Sequence, residues 1–137
     1  MKGYIYEINV NECTYIGSTR NIKKRKSAHN CLLKKNYCNK LYNYCYLNGI
    51  ESLNLKILEY DEFDNLELRK REQFYINQID SNKLLNKNKA YITDADRKLY
   101  KETIICPCCG SGIRRDVFAR HRSSNKHKKN NIVIYNA

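Results

Sequence analysis

The sequence predicts an α+β fold, and three observations carry that prediction. Two short alternating runs open the chain on either side of Asn11-Glu12, and a third lies at Ser52 to Tyr60. Segments with helical periodicity and polar caps fill the stretches between and after them.

The first run, Gly3 to Val10, alternates apolar and polar residues, Asn11-Glu12 supplies a turn, and Cys13 to Gly17 returns. A two-residue loop sets Val10 opposite Cys13 and Ile8 opposite Tyr15. Tyr6 then becomes a diagonal neighbour of Tyr15 on one sheet face. Asn21 caps a helix running to about Leu33, and a second, shorter helix fits Asn39 to Leu47, stopped by Asn48-Gly49. Ser52 to Tyr60 sets Leu53, Leu55, Ile57 and Glu59 on one face, with Asn54, Lys56 and Leu58 on the other. Asp64 opens a long helix to about Ile79. Ser81 to Glu102 is polar and weakly periodic, a linker with one helical stretch, and a separate unit starts at Ile104.

Composition narrows the function classes. The 137 residues carry 26 Lys and Arg against 14 Asp and Glu, a net charge of +12, with room for one ordinary domain and a small appendage. A mean hydropathy of -0.77 and no apolar run near the roughly 18 residues of a spanning helix exclude a membrane protein. An apolar fraction of 42% argues against a disordered chain. Met1 to Val10 alternates and so is no signal peptide. The seven cysteines form an odd set, which points to a reduced, intracellular protein rather than a disulfide framework.

The charge is also unevenly placed. Between Cys13 and Ile50 stand Arg20, Lys23, Lys24, Arg25, Lys26, Lys34, Lys35 and Lys40, with no acidic residue. Polyanions are the obvious partners for such a surface, and solubility is its plainer explanation. Lys23, Lys24, Arg25 and Lys26 crowd the first turns of a helix, the wrong sign for its dipole unless an external phosphate supplies negative charge. Arg25 and His29, four apart, share a face of that helix.

On the long helix, Leu68, Glu72, Tyr75, Ile76 and Ile79 fall on one face. Glu72 therefore sits in an apolar stripe, a costly place for a carboxylate unless it is paired or bound to a cation. A metal site and a buried ion pair with Arg25 or a lysine both explain it.

Near the end, Cys106 and Cys109 form a C-x2-C pair, followed by His121 and His127 in an H-x5-H pair. Four such ligands suit one tetrahedral Zn2+. With Ile104, Ile113 and Phe118 as a minimal core, the segment resembles a ββα C2H2 zinc finger. Cys108 is a surplus thiol able to replace a neighbour. The resemblance sets Arg114, Val117 and Arg120 at positions that face bases in finger–DNA complexes, with Asp116 bracing Arg114. DNA outweighs RNA as the partner.

Tyr4-Ile5-Tyr6 followed by Tyr15-Ile16-Gly17 resembles the paired signature of the GIY-YIG nuclease family. The likeness continues through Ser18-Thr19, Arg25, His29, Asn39-Lys40-Leu41, Lys56 to Glu59, Arg71 to Ile76 and Leu85-Asn86. One departure is visible: Tyr4 stands where the family has glycine, with Gly3 one position earlier. The resemblance implies a small three-stranded antiparallel sheet flanked by helices, over residues 1–90. A linker at 91–103, a finger at 104–129 and a tail at 130–137 follow. It further implies cleavage of phosphodiester bonds in double-stranded or branched DNA with Mg2+ or Mn2+. Tyr15 or a water it orients would start the attack, with Tyr6 in the same network. Arg25 would stabilise phosphate charge, and His29 would relay a proton or contact phosphate. Glu72 would anchor the metal, and Asn86 would bind structurally nearby. Lys23, Lys24, Lys26, Lys34 and Lys35 would hold the backbone. The whole chain looks similar to homing-type and large-DNA-virus or phage members of the family. A non-enzymatic nucleic-acid-binding module on the same scaffold is the competing expectation.

Overall fold

The computed structural model describes residues 1–124, which divide into two compact units, 1–91 and the part that begins at Ile92. No helix among the described residues is long and apolar enough to cross a membrane.

The first unit is built on a three-stranded antiparallel sheet in the order β2-β1-β3. Strands β1 (Lys2–Val10) and β2 (Cys13–Thr19) form the expected hairpin, with Val10 opposite Cys13 and Ile8 opposite Tyr15. Asn11 takes the left-handed backbone (φ 53°) that this tight turn requires. Helices α1 (Ile22–Lys34) and α2 (Lys40–Leu47) are capped by the side chains of Asn21 and Asn39. Asp64 and Glu67 form a reciprocal capping box at the start of α3 (Asn65–Ile76).

Alternation along β1 splits the core into two layers. Tyr6, Ile8 and Val10 pack with Leu33, Leu41, Tyr42 and Cys45 of α1 and α2. Ile5 and Ile16 point the other way, onto Phe63, Leu68 and Ile76. The sheet is therefore flanked by helices on both faces.

Strand β3 (Lys56–Glu62) begins four residues later than its alternation suggests. The Asn30 side chain takes both the N–H and the C=O of Leu53, at 2.8 and 3.2 Å, so that backbone is satisfied without a strand partner. A bulge then places Ile5 opposite Glu59 but Tyr6 opposite Ile57. That slip sets Ile57 on the face of Tyr6 and off that of Glu59; on this edge strand Ile57 is 47% exposed, while Leu58 packs against the α3 layer. Helix α3 also ends at Ile76, three residues short of the periodic stripe, although Ile79 still packs against the core.

In the second unit, α4 (Asp94–Lys101) occupies part of the polar stretch read as a linker. Strands β4 (Thr103–Ile105) and β5 (Gly112–Arg114) pair with Ile104 opposite Ile113, and a short 3-10 turn leads into α5 (Phe118–Arg122).

Candidate active site

Strand β2 lies at the sheet edge, and that edge carries the site. A loop closes it partly: Thr14 N–H donates to the Lys83 carbonyl, and Leu85 N–H donates to that of Thr14, both at 2.8 Å. The Asn86 amide completes the cover, accepting from Ile16 N–H at 2.9 Å and donating to the Ile16 carbonyl at 2.7 Å. Asn86 thus acts as a substitute strand partner and fixes the backbone beside Tyr15.

Gly17 makes room for the neighbouring tyrosine. A Cβ there would overlap the Tyr6 hydroxyl and the ring carbon bearing it. The buried Tyr6 ring lies 6.4 Å from that of Tyr15, as the hairpin register requires. Behind Tyr6, His29 is 5% exposed. Its Nε2 lies 2.8 Å from the Tyr6 hydroxyl and its Nδ1 lies 2.8 Å from that of Tyr42. Burial, reinforced by the Arg25 charge, pushes His29 down to about 4, so the ring is neutral at physiological pH. A neutral imidazole has one N–H and one lone pair, so one of the two hydroxyls accepts and the other donates.

Tyr6, Tyr15, Arg25 and Glu72 line one cavity of about 550 Å³, together with Ser18, Arg20 and Arg69. Glu72 enters from α3, and its Oε2 accepts from Ser18 Oγ of β2 at 2.5 Å. Burial raises the Glu72 carboxyl, while Ser18, Arg69 and Arg25 oppose that rise. Burial also raises Tyr6, with the Tyr15 hydroxyl adding to it, and raises Tyr15, with Glu72 adding to it; Arg25 lowers both. Arg20 also lines the cavity but serves the scaffold, donating to the carbonyls of Met1 and Phe63 at 2.6 and 2.8 Å.

The structure thus gathers Tyr6, Tyr15, Arg25, His29, Glu72 and Asn86 around β2. It spreads the lysines. Lys24 borders an adjoining hollow with Thr19 and Arg25, whereas Lys34 and Lys35 sit at the far end of α1, about 15 Å along the helix. Lys23 and Lys26 are exposed on its first turns. Ser18, Tyr42 and Arg69 were not singled out as site residues from sequence. Ser18 was findable, because alternation puts it with Ile16 on the face that meets the α3 stripe. Tyr42 was not, since nothing separates it from Tyr44 and Tyr46 on the same short helix. Tyr4, the departure from the family signature, stacks on Tyr60 at 4.8 Å between ring centroids and keeps its place in the β1–β3 ladder.

In the second unit, one donor atom each from Cys106, Cys109 and His121 lie within 4.8 Å of one another. Cys109 Sγ is 3.3 Å from His121 Nε2. The turn between the cysteines closes through Gly110 N–H to the Cys106 carbonyl at 2.9 Å, with Gly110 at φ 69°. Cys108 is exposed and stands outside the cluster, and His127 lies outside the described residues. Arg114, at the end of β5, pairs with Asp116, its Nε donating to Oδ1 at 3.1 Å. Val117 is half-buried and Arg120 exposed.

An edge-strand tyrosine, an arginine and a carboxylate brought together over a small three-stranded sheet define a nuclease-type site. The GIY-YIG catalytic domain matches residues 2–89. The fold is also similar to a solved structure of a mutant catalytic domain of intron endonuclease I-TevI. That likeness has a TM-score of 0.57 and 26% identity, and it covers 68% of this chain and 100% of the other. A search of curated proteins finds no match. The chain belongs to the GIY-YIG family and is an endonuclease of that type.

Proposed function

We propose that this endonuclease hydrolyses phosphodiester bonds in double-stranded or branched DNA with a divalent metal, and that a zinc-held finger helps it hold the duplex. The observation that carries the reading is the convergence of Tyr6, Tyr15, Arg25 and Glu72 on one cavity with neutral His29 behind it.

The donor set fits the metals. Glu72 offers one half-buried carboxylate, and Mg2+ or Mn2+ is commonly held by one or two carboxylates plus substrate phosphate, keeping several waters. Such an ion, when bound, supplies positive charge to stabilise the leaving oxygen. Two thiols and an imidazole fit tetrahedral Zn2+, and the H-x5-H spacing of the sequence offers His127, outside the described residues, as a fourth ligand.

The protein's own groups divide the remaining work. Arg25 lines the cavity, and the planar fork of its guanidinium suits two phosphate oxygens. Its charge also eases proton loss from Tyr6 and Tyr15, which burial otherwise resists. Tyr15, or a water it orients, begins the attack. The Tyr6 hydroxyl passes the released proton toward His29 Nε2 when His29 Nδ1–H donates to Tyr42. Because His29 is almost wholly enclosed, the relay role suits it better than direct contact with phosphate. Asn86 positions the edge strand. Lys23, Lys24, Lys26, Lys34, Lys35 and, in the finger, Arg114, Val117 and Arg120 extend contact along DNA.

Plasmid and branched DNA incubated with Mg2+ or Mn2+ test this. Glu72→Gln and Arg25→Ala should each lower cleavage by about 10²- to 10³-fold without unfolding the domain. Cleavage that survives both substitutions would remove the assigned roles. Tight binding with no cleavage by the unaltered chain would favour the non-enzymatic alternative.

A further inference from the structure

We propose that a second cleft, beside the reacting site, seats a neighbouring backbone phosphate of the same DNA strand through Lys40, Lys87 and Arg69. The proposal rests on the nuclease reading and extends it to a binding subsite.

The cleft has a volume of about 350 Å³ and lies between the start of α2 and the loop after Leu85. Its inner wall is Tyr15, Arg69 and Glu72, the same three residues that close one side of the first cavity. The two hollows are therefore the two sides of a single sill. The backbone of a polynucleotide runs on from both sides of the bond being cut, so a strand whose phosphate rests on Arg25 can pass over that sill into the second hollow.

Beyond the sill, the lining is of one sign. Lys40 and Lys87 border the cleft, and Glu72 is its only acidic residue. Lys40 is the first residue of α2, whose first turn carries no acidic group. A cation there opposes the helix dipole, a disadvantage that an anion in the cleft would reverse. Lys87, though exposed, stands on a loop pinned at both ends. Asn86 is tied to Ile16 on one side, and on the other Ala90 N–H donates to Gln73 Oε1 at 2.9 Å. The backbone beneath Lys87 is thus fixed relative to β2 and α3, as a preformed phosphate contact requires.

Anisotropy of a fluorescent DNA duplex, titrated with the full chain over a KCl series without added Mg2+ or Mn2+, reads the subsite directly. Each phosphate contact contributes about 0.9 to the slope of log affinity against log salt. Lys87→Ala and Lys40→Ala should each make that slope shallower by about 1, and in a separate cleavage assay with Mg2+ each should raise KM while leaving kcat unchanged. Lys56→Ala is the control: it removes the same charge from β3, at the opposite edge of the sheet. It should leave slope and KM as they are. If Lys87→Ala and Lys40→Ala behave like Lys56→Ala, the subsite is disproved. If the unaltered chain cuts no DNA, the nuclease reading fails instead, while the salt slopes still decide the subsite.

Discussion

The described residues include two histidines, one in each unit, and both are buried for different reasons. His29 lies deep in the first unit between the hydroxyls of Tyr6 and Tyr42, among residues that would pack without it. His121 lies beside the thiols of Cys106 and Cys109, in a unit whose described apolar side chains, Cys106 apart, are at most half-buried. The first unit has Ile5, Ile8, Ile16 and Leu41 at 1% exposure or less. Among the described residues of the second, Cys106 and His121 are themselves the buried ones, while Ile104, Ile113 and Phe118 are only half-buried. One histidine is an ornament of a core, available for chemistry; the other stands where a core should be. On the proposed reading, a small unit of that kind takes its folding energy from metal.

The largest expected effect breaks the two units apart. Metal analysis of the reduced chain should find one Zn2+ per molecule. A strong chelator should abolish the ordered signals of the second unit in an amide NMR spectrum while those of the first unit persist. Structural zinc in small peptides is worth roughly 10–16 kcal/mol, far more than the few half-buried side chains present. Cys106→Ser should reproduce the chelator's effect. A second unit that stays folded with no metal bound would show that its side chains suffice.

Acid should weaken the first unit through His29. The folded His29 sits near 4 against an unfolded value near 6.5, so between those limits the unfolded chain binds more protons. Stability of the first unit should therefore be fully present above about pH 6.5 and fall as the pH drops toward 4. The size is about 2 kcal/mol, less than the full shift implies because water reaches the adjoining cavity. Glu72 acts with the opposite sign, since its raised carboxyl relieves strain on protonation. Comparing denaturant melts of the unaltered chain with His29→Gln isolates the histidine. If both lose stability equally between pH 7 and 5, His29 is not the cause.

Much of this arrangement was legible in the sequence, and the limits are physical. The hairpin register followed from two turn residues, because a two-residue loop leaves one pairing for Ile8 and Tyr15. Helix caps at Asn21, Asn39 and Asp64 were local signals and stand where expected. Glu72 announced itself by interrupting an apolar stripe. Other features depend on partners distant in the chain. The late start of β3 turns on Asn30, more than twenty residues away, taking the Leu53 backbone. The bulge that separates Ile57 from Glu59 leaves no mark in an alternating pattern. The choice between metal and ion pair for Glu72 was equally closed to periodicity, since Ser18 reaches it from another element.

The smallest effect tests how His29 is held, and whether that hold serves catalysis or only packing. In Tyr42→Phe the ring still fills the layer between α2 and β1, but the hydroxyl beside His29 Nδ1 is gone. A buried imidazole nitrogen left without its partner costs about 1–2 kcal/mol, visible as a lower Tm. If Nδ1–H donation to Tyr42 is what keeps the Nε2 lone pair toward Tyr6, the substitution frees the other tautomer. The nitrogen shifts of His29 should then move, and kcat should fall with KM unchanged. Loss of Tm with an unchanged tautomer and kcat would make Tyr42 a packing residue, and His29 would owe its orientation to Tyr6 alone.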